Sequence, residues 1–332
     1  MTKILMTSVR PDEKAAIDEF AKKNNVEIVT SPKLVNDSMD MIPGCDGICV
    51  QQRANVNDDL YEVLEENGIK QLTTRTAGVD TIDLKAAHDH GLTVTNVPAY
   101  SPRSVAEFAL MQIFRMLRNT YAFDHEVARN DFSWHGQQSK EIHSATIGII
   151  GVGRIGGTLA KLLHALNATV LGYDIKPNHD LDDIVDFVDK DELLKRSDVV
   201  TLHVDLNPTS KGLMTARDFK LMQPTAALVN ASRGPVVKTA DLVDALENHE
   251  IKSAALDTVE GEAAIFAQDH SKDEGGIAKQ LPLVDKLNKM DNVILTPHIA
   301  FYTNVAVANM VDFALDDVLA IINGKKAKNV VE

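Results

Sequence analysis

The stretch Thr146-Ile147-Gly148-Ile149-Ile150-Gly151-Val152-Gly153-Arg154-Ile155-Gly156-Gly157 decides the fold. Ile147 to Ile150 reads as a short buried strand, and Thr158-Leu159-Ala160-Lys161-Leu162-Leu163 continues as a helix to about Leu166. Between them Gly151, Gly153 and Gly156 spell G-x-G-x-x-G. A second apolar run, Ala168 to Tyr173, ends in Asp174. Strand, glycine turn, helix, strand and closing acid together form the dinucleotide fingerprint. Gly151 permits the tight turn, Gly153 lets backbone approach a pyrophosphate, and Gly156 lets helix and strand pack closely. The helix N-terminus offers N–H groups to the phosphates. Asp174 is placed to accept hydrogen bonds from ribose hydroxyls and would repel a 2′-phosphate, so the expected cofactor is NAD rather than NADP.

Working outward, the fingerprint begins well inside the chain, so a further domain is expected before it. A length of 332 residues suits about two domains. The formal charge of −14 argues against nucleic acid and anionic membranes as partners. No apolar run is long enough to span a bilayer, and Met1-Thr2-Lys3-Ile4-Leu5 enters a strand without a signal-peptide pattern, so a cytoplasmic protein is expected. The two cysteines, Cys45 and Cys49, read as small buried residues, and no metal site is expected.

Residues 1–100 alternate strands (Lys3 to Ser8, Val26 to Thr30, Gly47 to Gln51, Gln71 to Arg75, Thr93 to Val97) with helices such as Pro11 to Lys23. That alternation predicts a parallel sheet covered by helices. Pro98 and Pro102 mark a boundary. Ser101 then caps a long helix through Leu117, apolar on more than one face, which suggests burial against both its own domain and a partner subunit. From Thr146 onward six strands are expected: Thr146–Ile150, Ala168–Tyr173, Asp198–His203, Ala226–Asn230, Ser253–Leu256 and Asn292–Leu295. They make a doubly wound dinucleotide domain. A last helix, Asn304 to Asn323, is expected to pack back on the first domain. The expected organisation is 1–100 plus 299–332 as a discontinuous substrate domain, and 101–298 as the NAD domain.

Ligands of such sheets lie beyond the carboxyl ends of the strands. Three ends carry reactive side chains: Asn230-Ala231-Ser232-Arg233-Gly234, then Asp257 with Glu260 and Glu262, then Pro297-His298-Ile299. Arg233 offers a planar fork that suits a carboxylate. His298 can carry a proton near neutral pH, and a carboxylate such as Glu262 can orient it and favour its charged form. Taken singly, an arginine is usually solvated and a Pro-His is usually a turn. His203, at another strand end, competes for the acid–base role.

With these residues in view the chain resembles the D-isomer-specific 2-hydroxyacid dehydrogenases over essentially its whole length, closest to the D-lactate branch. The resemblance rests on Asn96-Val97-Pro98-Ala99-Tyr100-Ser101-Pro102, Gly151-Val152-Gly153-Arg154-Ile155-Gly156, Asn230-Ala231-Ser232-Arg233-Gly234, Ala255-Leu256-Asp257-Thr258-Val259-Glu260-Gly261-Glu262 and Thr296-Pro297-His298-Ile299-Ala300-Phe301-Tyr302-Thr303. It implies an α/β chain in which a Rossmann NAD-binding domain is inserted in a flavodoxin-like substrate domain. The active site would lie in the cleft, and a homodimer would form through the helix after Ser101. It further implies a catalytic trio of Arg233, Glu262 and His298, with Glu260 the alternative carboxylate. Ala77 and Gly78 match the substrate-carboxylate cradle. Tyr100, Phe301 and Met310 match the side-chain pocket. Gly151, Gly153, Arg154, Ile155, Gly156, Asp174, Val204, Asp205, Ser210, Ala231, Ser232, Arg233 and Asp257 match cofactor positions.

Two departures stand out. Asp205 occupies a position that is commonly Pro in the family, and Arg154 one that is often His in lactate-type members. The expected reaction is reversible NADH-linked reduction of pyruvate to D-lactate. Bulkier 2-keto acids and an NADH-sensing corepressor are the alternatives. Arg53 leaves a phosphate-bearing substrate open.

Overall fold

The computed structural model describes residues 1–51, 54–266 and 268–332, so Arg53 lies outside the described residues. The chain divides into two units, Met1–Ser101 with Tyr302–Glu332, and Pro102–Phe301.

In the first unit the described residues form five parallel strands: β1 (Lys3–Met6), β2 (Glu27–Thr30), β3 (Gly47–Val50), β4 (Gln71–Thr74) and β5 (Thr93–Thr95). Their order is β2-β1-β3-β4-β5. β3 and β4 are buried at every residue, as a sheet covered on both faces requires. The helix Asn304–Ile322 covers one face, with Val311, Ala314, Leu315 and Val318 packed on Ile4, Met6 and Cys49. Gly47 makes that fit possible. A Cβ there would lie 2.8 Å from both Gln71 Nε2 and Val318 Cγ1.

The second unit is built on β6 (Thr146–Ile150), β7 (Thr169–Tyr173), β8 (Asp186–Phe187), β9 (Val199–Leu202), β10 (Ala227–Asn230), β11 (Ser253–Leu256) and β12 (Val293–Leu295). All pairs are parallel, in the order β12-β11-β10-β9-β6-β7-β8. The expected six strands are therefore corrected to seven among the described residues. β8 has two residues, paired with Leu171 and Gly172, and so is too short to show any periodicity. β6 and β9 are neighbours, so the chain order reverses between them. This is the topological switch point at which doubly wound sheets take their ligands.

Candidate active site

The turn after β6 is held by contacts that tolerate only glycine. A Cβ on Gly151, whose φ is +93°, would lie 2.7 Å from the His203 backbone, and one on Gly156 would lie 2.0 Å from the Gly151 oxygen. Gly153 differs, because a Cβ there would meet nothing within 4 Å, so backbone is bare on an open side. That side faces a groove of about 430 Å³ lined by Gly153, Arg154, Thr158, Lys161, Asp174 and Lys176, among others. Asp174 is fixed in the same lining. Its Oδ2 accepts the Val152 N–H at 2.8 Å and its Oδ1 the Lys176 N–H at 2.9 Å. A carboxylate has lone pairs to spare beyond these two, so ribose hydroxyls can add. Bare backbone at a helix start, cationic side chains beside it and an acid in the same groove fit a dinucleotide.

The remaining expected cofactor residues sit along the same edge. Arg154 opens the helix Arg154–Ala165. Ile155 packs on an apolar cluster with Ala231 and Ala300. Val204 is half-buried and Asp205 exposed just after β9. The Ser210 hydroxyl is spent inside its own loop. It donates to the Asp205 carbonyl and accepts the Asn207 N–H at 2.9 Å.

Beyond β10, Asn230 shapes the next turn. Its Oδ1 accepts from the N–H (3.1 Å) and hydroxyl (2.8 Å) of Ser232, and its Nδ2 donates to the Arg233 carbonyl. Arg233 is half-buried, with Nη1 donating to the Ser232 carbonyl at 2.9 Å. Gly234 then brings two loops together. A Cβ there would lie 2.1 Å from the Val259 carbonyl carbon and oxygen, so main chain rests on main chain. On the far side of that contact Glu262 Oε2 accepts the Val259 N–H at 2.8 Å.

Glu262 Oε1 meets His298 Nδ1 at 2.7 Å. His298 is half-exposed and carries a φ of +55°, the left-handed region that costs an ordinary residue energy. The strain is held by Asp257, buried at the end of β11. Its Oδ1 accepts from the Thr296 hydroxyl and the Ile299 N–H, its Oδ2 from the Ala300 N–H at 2.8 Å, and its carbonyl from the His298 N–H. Asp257 thus clamps the loop on both sides of His298. Glu262 fixes Nδ1, and Nε2 has no partner among the described residues. Phe301 stands edge-on to the imidazole, centroids 6.2 Å apart.

The two rival side chains are engaged elsewhere. Glu260 Oε2 accepts the Thr239 N–H at 2.9 Å, capping the helix Thr239–Glu247. His203 Nε2 faces the Thr201 hydroxyl at 2.9 Å, while its Nδ1 is buried without a partner, and burial lowers its pKa from 6.5 to about 4.

In the first unit, Ala77 and Gly78 follow β4. The Thr76 hydroxyl donates to the Gly78 carbonyl and Asn96 Nδ2 to the Ala77 carbonyl, both at 2.6 Å. Their own N–H groups have no partner among the described residues. Tyr100 packs on the core beneath the last helix, its carbonyl accepting from Asn309 Nδ2, and Met310 is buried. The clamp by Asp257 and the tie of Asn96 to Ala77 were not legible in sequence, since no local pattern announces either.

The profile described as the NAD binding domain of D-isomer specific 2-hydroxyacid dehydrogenases matches residues 110–300. A D-lactate dehydrogenase of Staphylococcus aureus (strain MRSA252) is 37% identical over 325 residues, 97% of each chain. A solved D-lactate dehydrogenase from a Sporolactobacillus species is 48% identical, with a TM-score of 0.88 over 100% of this chain and 99% of that one. The D-lactate dehydrogenase of Lactobacillus jensenii, solved with NAD+, is 35% identical, with a TM-score of 0.90 over the whole of both chains. The chain belongs to the D-isomer specific 2-hydroxyacid dehydrogenase family. It is therefore an NAD-dependent oxidoreductase whose second unit carries the family's NAD-binding domain, and its substrates are small molecules. Among the described residues, no helix is long and apolar enough to cross a membrane.

Proposed function

We propose that this chain interconverts pyruvate and D-lactate in the cytoplasm. The reading is carried by one observation: His298 holds Nδ1 on Glu262 at 2.7 Å and keeps Nε2 unpartnered. An imidazole oriented by a carboxylate and open at its other nitrogen is built to move a proton. When bound, NADH supplies the two electrons that reduce the keto carbon. His298 supplies the proton to the keto oxygen, and recovers one from the hydroxyl in the reverse direction. Glu262 orients the imidazole through Nδ1. Arg233 anchors the substrate carboxylate through its planar fork. In the first unit the open N–H groups of Ala77 and Gly78 are donors for a substrate carboxylate. Phe301 in the second unit and Tyr100 in the first are assigned to the substrate side chain. Gly151, Gly153, Gly156, Arg154, Ile155, Val204, Asp205, Ser210, Ala231 and Ser232 form the cofactor cradle. Asp174 holds the ribose, and Asp257 positions His298. The substrate domain is assigned to residues 1–100 with 299–332, and the NAD domain to 101–298.

The helix Pro102–Leu117 shows Met111 and Phe114 to solvent beside Leu110, around an apolar groove of about 400 Å³. We assign that face to a second copy of the chain, and light scattering would show a dimer.

The activity is tested by NADH oxidation with pyruvate, 2-ketoisocaproate and phenylpyruvate, with chiral analysis of the product. The expected result is D-lactate and the highest kcat/KM for pyruvate. L-lactate, or no turnover of any 2-keto acid, refutes the reading. A preference for phenylpyruvate transfers it to the bulkier substrates.

A further inference from the structure

The first unit holds an ion pair that the chemistry above does not use. Arg75, immediately before Thr76-Ala77-Gly78, and Glu13 are both fully buried. Arg75 Nε donates to Glu13 Oε1 at 2.9 Å and Nη2 to Oε2 at 3.4 Å. The same guanidinium donates to the carbonyls of Thr7 (3.1 Å) and Ser8 (3.3 Å), just past β1, and of Cys49 (3.4 Å) in β3. Arg75 itself leaves β4, with its N–H donating to the Val50 carbonyl at 2.8 Å. One side chain therefore ties together the carboxyl ends of three adjacent strands. Ser8, one of the residues it holds, sits at a left-handed φ of +56°. Glu13 is fixed in turn by the Arg10 N–H at 2.8 Å. Burial pushes the Cys49 thiol up, so Cys49 stays neutral and Glu13 is the buried counter-charge.

Stability alone is a weak account of this arrangement. A buried ion pair is often matched or exceeded by apolar residues of the same volume, because taking two charges out of water costs about what their attraction returns. What apolar residues cannot supply is direction. The fork on Arg75 sets where the chain leaves β4, and the next three residues present the open N–H groups of Ala77 and Gly78.

We propose that Glu13 and Arg75 are positioning residues for the carboxylate cradle at Ala77 and Gly78, fixing the aim of its N–H donors without touching substrate. This rests on the reading of those donors given above. An apolar filling of the same volume would leave the sheet intact and the loop free to tilt.

The experiment compares the parent with Glu13→Gln and with the double variant Glu13→Leu/Arg75→Met. It measures kcat and KM for pyruvate, Kd for oxamate in the presence of NADH, KM for NADH, and Tm. In both variants pyruvate KM and oxamate Kd should rise about tenfold or more, the scale of one lost charge-assisted hydrogen bond. KM for NADH and kcat at saturating pyruvate should stay within about threefold, since only binding shared by ground and transition states is lost. The double variant should keep a Tm close to that of the parent. A folded double variant with the parent's pyruvate KM and oxamate Kd overturns the proposal. So does a parallel loss of kcat and NADH binding, or failure of both variants to fold, either of which makes the pair purely structural. A parent that turns over no 2-keto acid refutes the proposed function itself, and is seen before any variant is made.

Discussion

His203 and His298 stand beyond the carboxyl ends of strands in one sheet, yet they are different chemical objects. His298, after β12, keeps Nδ1 on Glu262 and leaves Nε2 open. His203, after β9, gives Nε2 to the Thr201 hydroxyl, buries Nδ1 without a partner and is held neutral down to about pH 4. Residue type and place at the sheet edge are shared. The difference is a carboxylate on one ring nitrogen of His298 where His203 buries a nitrogen without a partner, and that pairing makes a histidine a proton carrier.

The comparison breaks most easily at His298. His298→Gln should lower kcat/KM for pyruvate reduction by about 10²- to 10⁴-fold, the range of a lost general acid, with KM for NADH little changed. A smaller loss than that from His203→Gln would reverse the assignment.

Arg233→Lys should cost about 10- to 100-fold, shared between KM and kcat, because charge is kept and the planar fork is lost. A variant with the parent's pyruvate KM would remove Arg233 as the anchor.

Glu262→Gln sharpens the contrast, since it takes the charge away from His298 Nδ1 and nearly keeps the shape. It should lower kcat/KM by about tenfold or more in both directions, the scale of a lost charge-assisted hydrogen bond. Paired measurements of pyruvate reduction and D-lactate oxidation check this. Glu260→Gln is the control, and it should leave both directions within about threefold, because Glu260 is spent on the Thr239 N–H.

The smallest catalytic effect belongs to His203→Gln, expected within about threefold in kcat/KM. Its signature is in stability. The folded-state value of about 4 lies below the ordinary 6.5, so the unfolded chain binds the proton first. The contribution is fully present above pH 6.5 and is lost as pH falls towards 4, by at most about 3 kcal/mol. Melting from pH 7 to 4 should therefore show a shallower decline in His203→Gln. An unchanged slope would mean that His203 does not titrate there.

The fingerprint stretch could be read closely because glycine leaves a local mark. β6 and β11 start and stop at the residues expected, β6 ending just before Gly151 and β11 lying between Lys252 and Asp257. Elsewhere ends overshoot. Lys3 to Ser8 reads as one strand, but β1 stops at Met6 and Ser8 is left-handed. Pro11 to Lys23 reads as one helix, but Pro11–Glu13 is a 3-10 turn that presents Glu13 to Arg75. Within the site, residue types suggest their chemistry, and partners are less legible. Glu260 and Glu262 lie two positions apart, and only the fold puts one on His298 and the other on a helix cap. Asp257 reaches Ile299 and Ala300 across some forty residues, a contact that no window along the chain contains.

At Gly234 the arginine loop rests on the glutamate loop, main chain against main chain. The two loops are therefore inherited as a single block. On the proposed reading the side chains at positions 100 and 301 serve only as walls for the substrate, so a randomised pool selected for a new substrate should tolerate change at either. Any change that moves one loop drags the other, so Arg233 and Glu262 are displaced in the same step. Successful members of such a pool should retune the walls and return glycine at 234.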